Sequence, residues 1–419
     1  MTNSRRWPDL HGLLKGSAVY GAANVGVAGT QFVSIIVFAT LLSPSDFGYA
    51  SIFSVLFIVL TTLCGLGLSA AVQQSFFKLS ESDFAVLVSA VLLSIIATGL
   101  LLAILLLFSP PGVVALINLP AKWILIAIAV ASMHATTQVS LIILQTTGQL
   151  KTYLRITFVQ VASAVLSTIA FAGFAPAEWE SAVVAQICAP VITSICAVLV
   201  LRSNYRLVLP NNLRLLREAL TYSLPLVPHQ LAAWAIAMAD RFIIVNALGV
   251  AQAGVYSLAF QIAQSTNIVS NSINQAIVPL LFSRLSGAKG SRASVRMLNG
   301  VYGLTLGLFS LIFVIAVFVA APFFLKSAYQ PALVYIPWLI FGFLMLALSR
   351  IASNFLLFYG RTGTLAASTM SAAVLSVLLN LWLVPEHGLL GACWTSAATF
   401  SYLLVVTGLQ AWSCQRNQR

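Results

Sequence analysis

The sequence predicts an all-α polytopic membrane protein with twelve transmembrane helices, and three observations carry that prediction. The 419-residue chain is 60% hydrophobic and only 7% charged, with a mean hydropathy of +0.99, whereas a soluble domain carries about 25% charged residues. Hydrophobic blocks recur along its whole length, and no polar stretch is large enough for a soluble domain. Basic residues crowd into alternate connectors and are scarce in the others.

Twelve spans are read at about 17–41, 47–74, 84–108, 121–146, 152–175, 179–201, 219–248, 252–282, 297–320, 331–358, 363–384 and 388–412, each near or above the roughly 20 residues that cross a bilayer as a helix. With the N-terminus and every second connector on one side, that side holds 18 of the 21 lysines and arginines. The opposite side holds Lys122 and Lys326 together with Asp46, Glu178, Glu180 and Glu386, and Arg241 lies within a span. This asymmetry predicts that both termini lie in the cytoplasm. The net charge of +12 is therefore topology, and no nucleic-acid partner is expected. Ser4-Arg5-Arg6 resembles a twin-arginine export signal only in those letters, because the apolar segment behind it is too long and eleven more spans follow. Cys64, Cys188, Cys196, Cys393 and Cys414 lie in or beside spans without metal-ligand spacing and read as small packing residues.

The longest basic connector, Arg202 to Arg217, divides the spans six and six, giving expected units of 1–206 and 207–419. The halves show signs of repetition. Leu42 to Gly48 aligns with Leu248 to Gly254 at an offset of 206, and Thr147-Gly148-Gln149 aligns with Tyr359-Gly360-Arg361 at 212. An even number of spans per repeat relates the halves by a pseudo-two-fold axis along the membrane normal, with a site between them. Pro225 and Pro228, near the cytoplasmic start of span seven, are the preferred hinge positions, since each removes a backbone hydrogen bond and invites a bend.

Span eight carries Gln261, Gln264, Asn267, Asn271, Asn274 and Gln275. At 3.6 residues per turn these six amides share an arc of roughly 140° over roughly 20 Å of helix. An amide facing hydrocarbon costs several kcal/mol without a partner, so the stripe predicts a wet cavity along the helix. Amides joining helix to helix would explain one or two of the positions better than all six. Asn24 and Gln31, seven residues apart on span one, share a face and extend the polar lining.

Asp240 and Arg241 lie roughly two turns from the outer end of span seven. Helical neighbours point about 100° apart, so the two are not expected to pair with each other. Intramembrane charges usually face a cavity and read as functional, the alternative being a structural role with each satisfied by another helix. Arg350 is expected at a cavity or snorkelling to the cytoplasmic interface, and Arg155 near the inner end of span five. His229 in span seven and His134 in span four are the histidines within spans, and histidine titrates near neutral pH. No paired carboxylate, Ser/His/Asp set, metal spacing or phosphate-cradling loop is found, so neither an enzyme nor a cofactor is expected.

A resemblance emerges from several segments taken in order. Tyr222-Ser-Leu-Pro225, Ala239-Asp240-Arg241-Phe242, Ala253-Gly254-Val255-Tyr256 and Pro279-Leu-Leu-Phe282 resemble helices seven and eight of bacterial O-antigen and exopolysaccharide repeat-unit flippases. Those belong to the multidrug/oligosaccharidyl-lipid/polysaccharide exporter superfamily. Leu41-Leu42-Ser43-Pro44-Ser45-Asp46-Phe47-Gly48 resembles that family's opening signature, and Asn380 to Ala392 its last helix turn. The resemblance implies two six-helix bundles forming a V around a central cavity. It implies a polyprenyl-pyrophosphate-linked oligosaccharide moved by alternating access from the cytoplasmic to the periplasmic leaflet, with membrane lipid and other polysaccharide-assembly proteins as partners. Gln261, Gln264, Asn267, Asn271, Asn274, Gln275, Asn24, Gln31, Arg350 and Arg155 are then the expected cavity residues. Asp240, Arg241 and His229 become the expected gating or coupling residues, with a proton or sodium as coupling ion. A cation-coupled drug antiporter of the same superfamily is the alternative; it would place carboxylates inside spans of the N-terminal half, and none is found there. A glycan polymerase is disfavoured by the short external loops.

Overall fold

The computed structural model describes residues 26–27, 29–204, 213–286 and 292–416. Among them the secondary structure is helical throughout, with no strand. In chain order the helices are α1 (Gly29–Leu41), α2 (Pro44–Gly65), α3 (Leu68–Ser75), α4 (Glu81–Leu107), α5 (Pro111–Ile117), α6 (Ala121–Thr146), α7 (Leu150–Phe174) and α8 (Trp179–Asn204). They continue with α9 (Leu213–Ser223), α10 (Leu226–Met238), α11 (Asp240–Leu248), α12 (Val250–Ser286), α13 (Arg292–Phe324), α14 (Ala332–Phe358), α15 (Thr362–His387) and α16 (Leu389–Arg416).

Nine of the described helices are long and apolar enough to cross a membrane, or ten with α9–α11 taken as one bent span. Three expected spans are not simple apolar rods. Span one is described as a helix mainly over its C-terminal part, as α1. Span seven is broken, and α12 is long but diluted in hydropathy by its own amides. Span two also ends earlier than expected, at Gly65: Leu66 (φ 47°) and Gly67 (φ 66°) are both left-handed, and Leu66 N–H bonds Thr62 O at 3.1 Å. Two successive left-handed residues close a helix, so α3 starts afresh.

Apolar side chains cover the outside. Leu304, Leu308, Leu311, Ile312, Ile315 and Val319 of α13 are each more than half exposed, and α4 shows the same face at Leu100, Leu101, Leu105 and Leu107. Apolar surface on this scale is tolerated in lipid and not in water. The chain is a multi-pass membrane protein.

Helices α2, α6 and α8 pack together, with α4 on α6 and α7 on α8, while α12, α14, α15 and α16 form a second group with α10 on α15. The two expected repeat turns are built alike. Gly148 (φ 71°) and Gly360 (φ 68°) are both left-handed. Their N–H groups bond Gln145 O and Leu357 O at 3.2 and 3.1 Å, and the next residues, Gln149 and Arg361, bond Leu144 O and Leu356 O at 2.9 and 2.8 Å. Every partner pair differs by 212 positions.

Candidate functional site

The broken span seven sets one end of the site. Between Arg214–Met238 and Asp240–Leu248 the axis bends by 44°. Asp240 and Arg241 follow the break, both 3% exposed, and they bond each other: Arg241 Nη1 lies 2.6 Å from Asp240 Oδ1. This corrects the expectation that these helical neighbours would not pair with each other. Because the helix stops at Ala239, the guanidinium folds back, and Nη1 also donates to Ala237 O at 2.6 Å, a carbonyl in the last turn of α10. The cation thus sits at the C-terminus of α10 and the carboxylate at the N-terminus of α11, where each helix dipole favours it.

Residues that the sequence reading did not select complete this cluster. Tyr256 donates its hydroxyl hydrogen to Asp240 Oδ2 at 2.5 Å and lies 3.5 Å from Ser396 Oγ. The Arg241 guanidinium stands 3.8 Å from the Phe260 ring centroid, a cation–π contact. Asp240 and Arg241 therefore face the packed interior between α12 and α16 rather than a wet cavity.

The amide stripe divides along its length. On one edge, Asn267 accepts from Arg350 Nη2, and Arg350 Nη1 donates to Ser270 Oγ at 2.9 Å. One turn further in, Asn354 Nδ2 donates to Asn274 Oδ1 at 2.9 Å, and Tyr302 OH donates to Ser270 O and Asn274 Oδ1 at 3.5 Å each. This edge joins α12 to α13 and α14. On the other edge Asn271 and Gln275 are exposed and Gln264 and Gln261 half-buried, and among the described residues none of these four side chains makes a hydrogen bond. Arg350 is thus held inside the protein by neutral oxygens, and it uses two of its five N–H donors on described residues.

The remaining expected residues lie apart. Arg155 is exposed near the start of α7, Gln31 is exposed on α1, and Asn24 lies outside the described residues. His229 is exposed in the first turns of α10. Pro225 sits in the turn between α9 and α10, and Pro228 in the first turn of α10. There the chain passes from α9, which packs on α3 and α4, to α10, which packs mainly on α15. His134 ring Nε2 lies 3.0 Å from Gln138 Nε2, while its Nδ1 is buried without a partner among the described residues. Tyr256 stood in the sequence only as one letter of a family-like motif, and Ser270, Tyr302, Asn354 and Ser396 had no signal of their own, being ordinary polar residues until folding brings α12, α13, α14 and α16 together.

A family model described as "Polysaccharide biosynthesis protein" matches residues 13–285. The chain belongs to the polysaccharide biosynthesis protein family. A search of curated protein sequences returned no significant match. Among solved structures, this family member is similar to a multidrug-resistance MATE-family transporter of the MOP superfamily in its inward-facing conformation (TM-score 0.72, 14% identity, 92% of this chain and 93% of that one). It is also similar to the lipid II flippase MurJ in an inward closed conformation (TM-score 0.71, 11% identity, 94% and 87%). An outward-facing MATE-family transporter fits less well (TM-score 0.57, 16% identity, 95% of each chain). The fold is that of the MOP superfamily.

Proposed function

We propose that this family member is a flippase that moves polyprenyl-pyrophosphate-linked oligosaccharide repeat units from the cytoplasmic to the periplasmic leaflet, for O-antigen or exopolysaccharide synthesis. Its membrane is the bacterial inner membrane, with both termini cytoplasmic. The open edge of the amide stripe carries this reading. Gln261, Gln264, Asn271 and Gln275 present amides that can exchange water for sugar hydroxyls, while the polyprenyl tail remains in lipid. Arg350, with three donors unused on described residues, supplies positive charge toward the pyrophosphate, and exposed Arg155 adds attraction at the inner mouth. Alternating access follows from rocking one helix group against the other, with Pro225 at the turn where span seven changes neighbours. The cycle is coupled to a proton or sodium gradient. In a family named for polysaccharide biosynthesis, the MurJ-like fold supports a lipid-linked cargo.

The MATE-like fold supports a second reading, a cation-coupled antiporter of small molecules. Among the described residues no carboxylate of the N-terminal half is buried, which leaves that reading without a cation site in the half where it needs one. Deleting the gene and identifying accumulated lipid-linked intermediates separates the two. The flippase reading expects a complete repeat unit on its lipid carrier, retained on the cytoplasmic side, with surface glycan lost. Normal surface glycan and no accumulated intermediate would reject it in favour of the antiporter.

A further inference from the structure

The two helix groups meet most extensively where α2 crosses α12, on the face opposite the basic connectors, and each helix brings a glycine to the crossing. A Cβ on Gly254 would lie 1.9 Å from Pro44 O, and one on Gly48 would lie 2.2 Å from Val250 O. The obstacles are backbone atoms, which cannot rotate aside as a side chain does. Only glycine allows the helices to approach this closely.

The contact is also reciprocal. Gly48 meets Val250 and Gly254 meets Pro44, and both Gly254 and Val250 lie 206 positions beyond their counterparts Gly48 and Pro44. Matched pairs of this kind are the signature of a two-fold axis through a self-complementary contact. Further bridges between the groups lie around this crossing on the same face. Lys326 Nζ donates to Leu41 O at 2.8 Å and Tyr329 OH to Leu42 O at 3.4 Å. Asn118 Nδ2 donates to Asn246 Oδ1 at 3.2 Å, and Asn246 Nδ2 to Leu116 O at 3.0 Å.

Along α12 the crossing coincides with a change in burial. Ala253, Tyr256, Leu258, Ala259, Phe260 and Ala263 are all buried, whereas Ile268, Val269, Asn271, Ser272 and Gln275 further in are exposed. The molecule is therefore closely packed at the outer end of α12, whereas along its inner half one edge is buried, at Thr266, Ser270 and Leu281, and the other is open.

We infer that the Gly48–Gly254 crossing is the centre of the outer gate, closed in this structure, and that opening toward the periplasm separates these two backbones. The inference rests on the alternating-access reading above, but not on the identity of the cargo. A backbone gate of this kind has a consequence that a side-chain gate lacks. Any added side chain at either glycine penalises the closed state alone, because the helices are apart in the open one. Equivalent positions in the two repeats should act alike.

The test places a single cysteine at position 271 (Asn271→Cys, native cysteines replaced) and labels intact cells with a membrane-impermeant maleimide. With both glycines present, labelling from outside is expected to be low. Gly254→Leu and Gly48→Leu should each raise it about tenfold, the change produced by an equilibrium shift of roughly 1.4 kcal/mol. Unchanged labelling in variants that accumulate normally would overturn the gate. If the leucine variants fail to accumulate, Gly254→Ala and Gly48→Ala take their place. If those fail too, the crossing is a permanent fold contact, and the inference falls. Raised labelling in a strain whose gene deletion accumulates no lipid-linked sugar would keep the gate and reject the flippase reading.

Discussion

The two halves of α12 have different surroundings. Its outer half, rich in small and aromatic residues, is buried from Ala253 to Phe260 against α2, α11 and α14, and pinned through Tyr256 to the Asp240–Arg241 pair. Its inner half is tied down along one edge only, by Arg350 and Asn354, and open along the other. A rod that packs closely at one end and presents free amides at the other needs opposite chemistries in sequence. Glycine and alanine permit close approach where water must be excluded, and amides replace them where water must be held. Polarity in a membrane helix therefore has to be sorted by edge and depth before it is read as function.

Substitutions at the anchors test this division most severely. Arg241→Ala or Asp240→Ala leaves an uncompensated buried charge and is expected to cost about 3–5 kcal/mol. The result is a lower unfolding temperature in detergent and less protein in the membrane. Asp240→Leu combined with Arg241→Met should recover most of that loss. If the double variant is stable yet surface glycan remains absent, the pair has a role beyond stability; if glycan returns, it is structural. Tyr256→Phe removes a hydrogen bond to a charged acceptor and should cost about 1.5–3 kcal/mol, again read by thermal unfolding.

On the inner half, Arg350→Ala removes the donor to Asn267 Oδ1 and to Ser270 Oγ and should cost about 1–3 kcal/mol; Arg350→Gln, which keeps one amide donor group, should fall between wild type and alanine in stability. Surface glycan is expected to drop in both. The smallest stability effect belongs to the open edge. Asn271→Leu with Gln275→Leu should change stability by only about 0.5 kcal/mol while surface glycan falls severalfold. An equal fall in protein level would show that this edge also binds helices together.

Hydropathy and basic-residue placement made most helices legible in the sequence, because spanning lipid imposes one length and one composition on each. Breaks were less legible. Gly67 hints at the end of α2, but the bend at Ala239 has neither glycine nor proline beside it, so the pairing of Asp240 with Arg241 could not be foreseen from helical geometry. The stripe on α12 was visible as a pattern, yet the fate of each edge depends on residues about 80 positions away on α14. Angular position along one helix cannot report what another helix presents. The glycines at 48 and 254 were legible as a repeat and not as a contact, since a sequence offset says which residues correspond and not which ones touch.

The adjacency of Asp240 and Arg241 has one more physical consequence. An ion pair formed between distant helices is made and broken as those helices move, and each rearrangement must cross the expense of exposing a bare charge to hydrocarbon. Here the two partners are consecutive in the chain, and the guanidinium is further fixed to a carbonyl four residues back. If α11 moves relative to α12, the Tyr256 hydrogen bond to Asp240 must break, but the ion pair itself can stay whole, so neither charge is left bare by the movement.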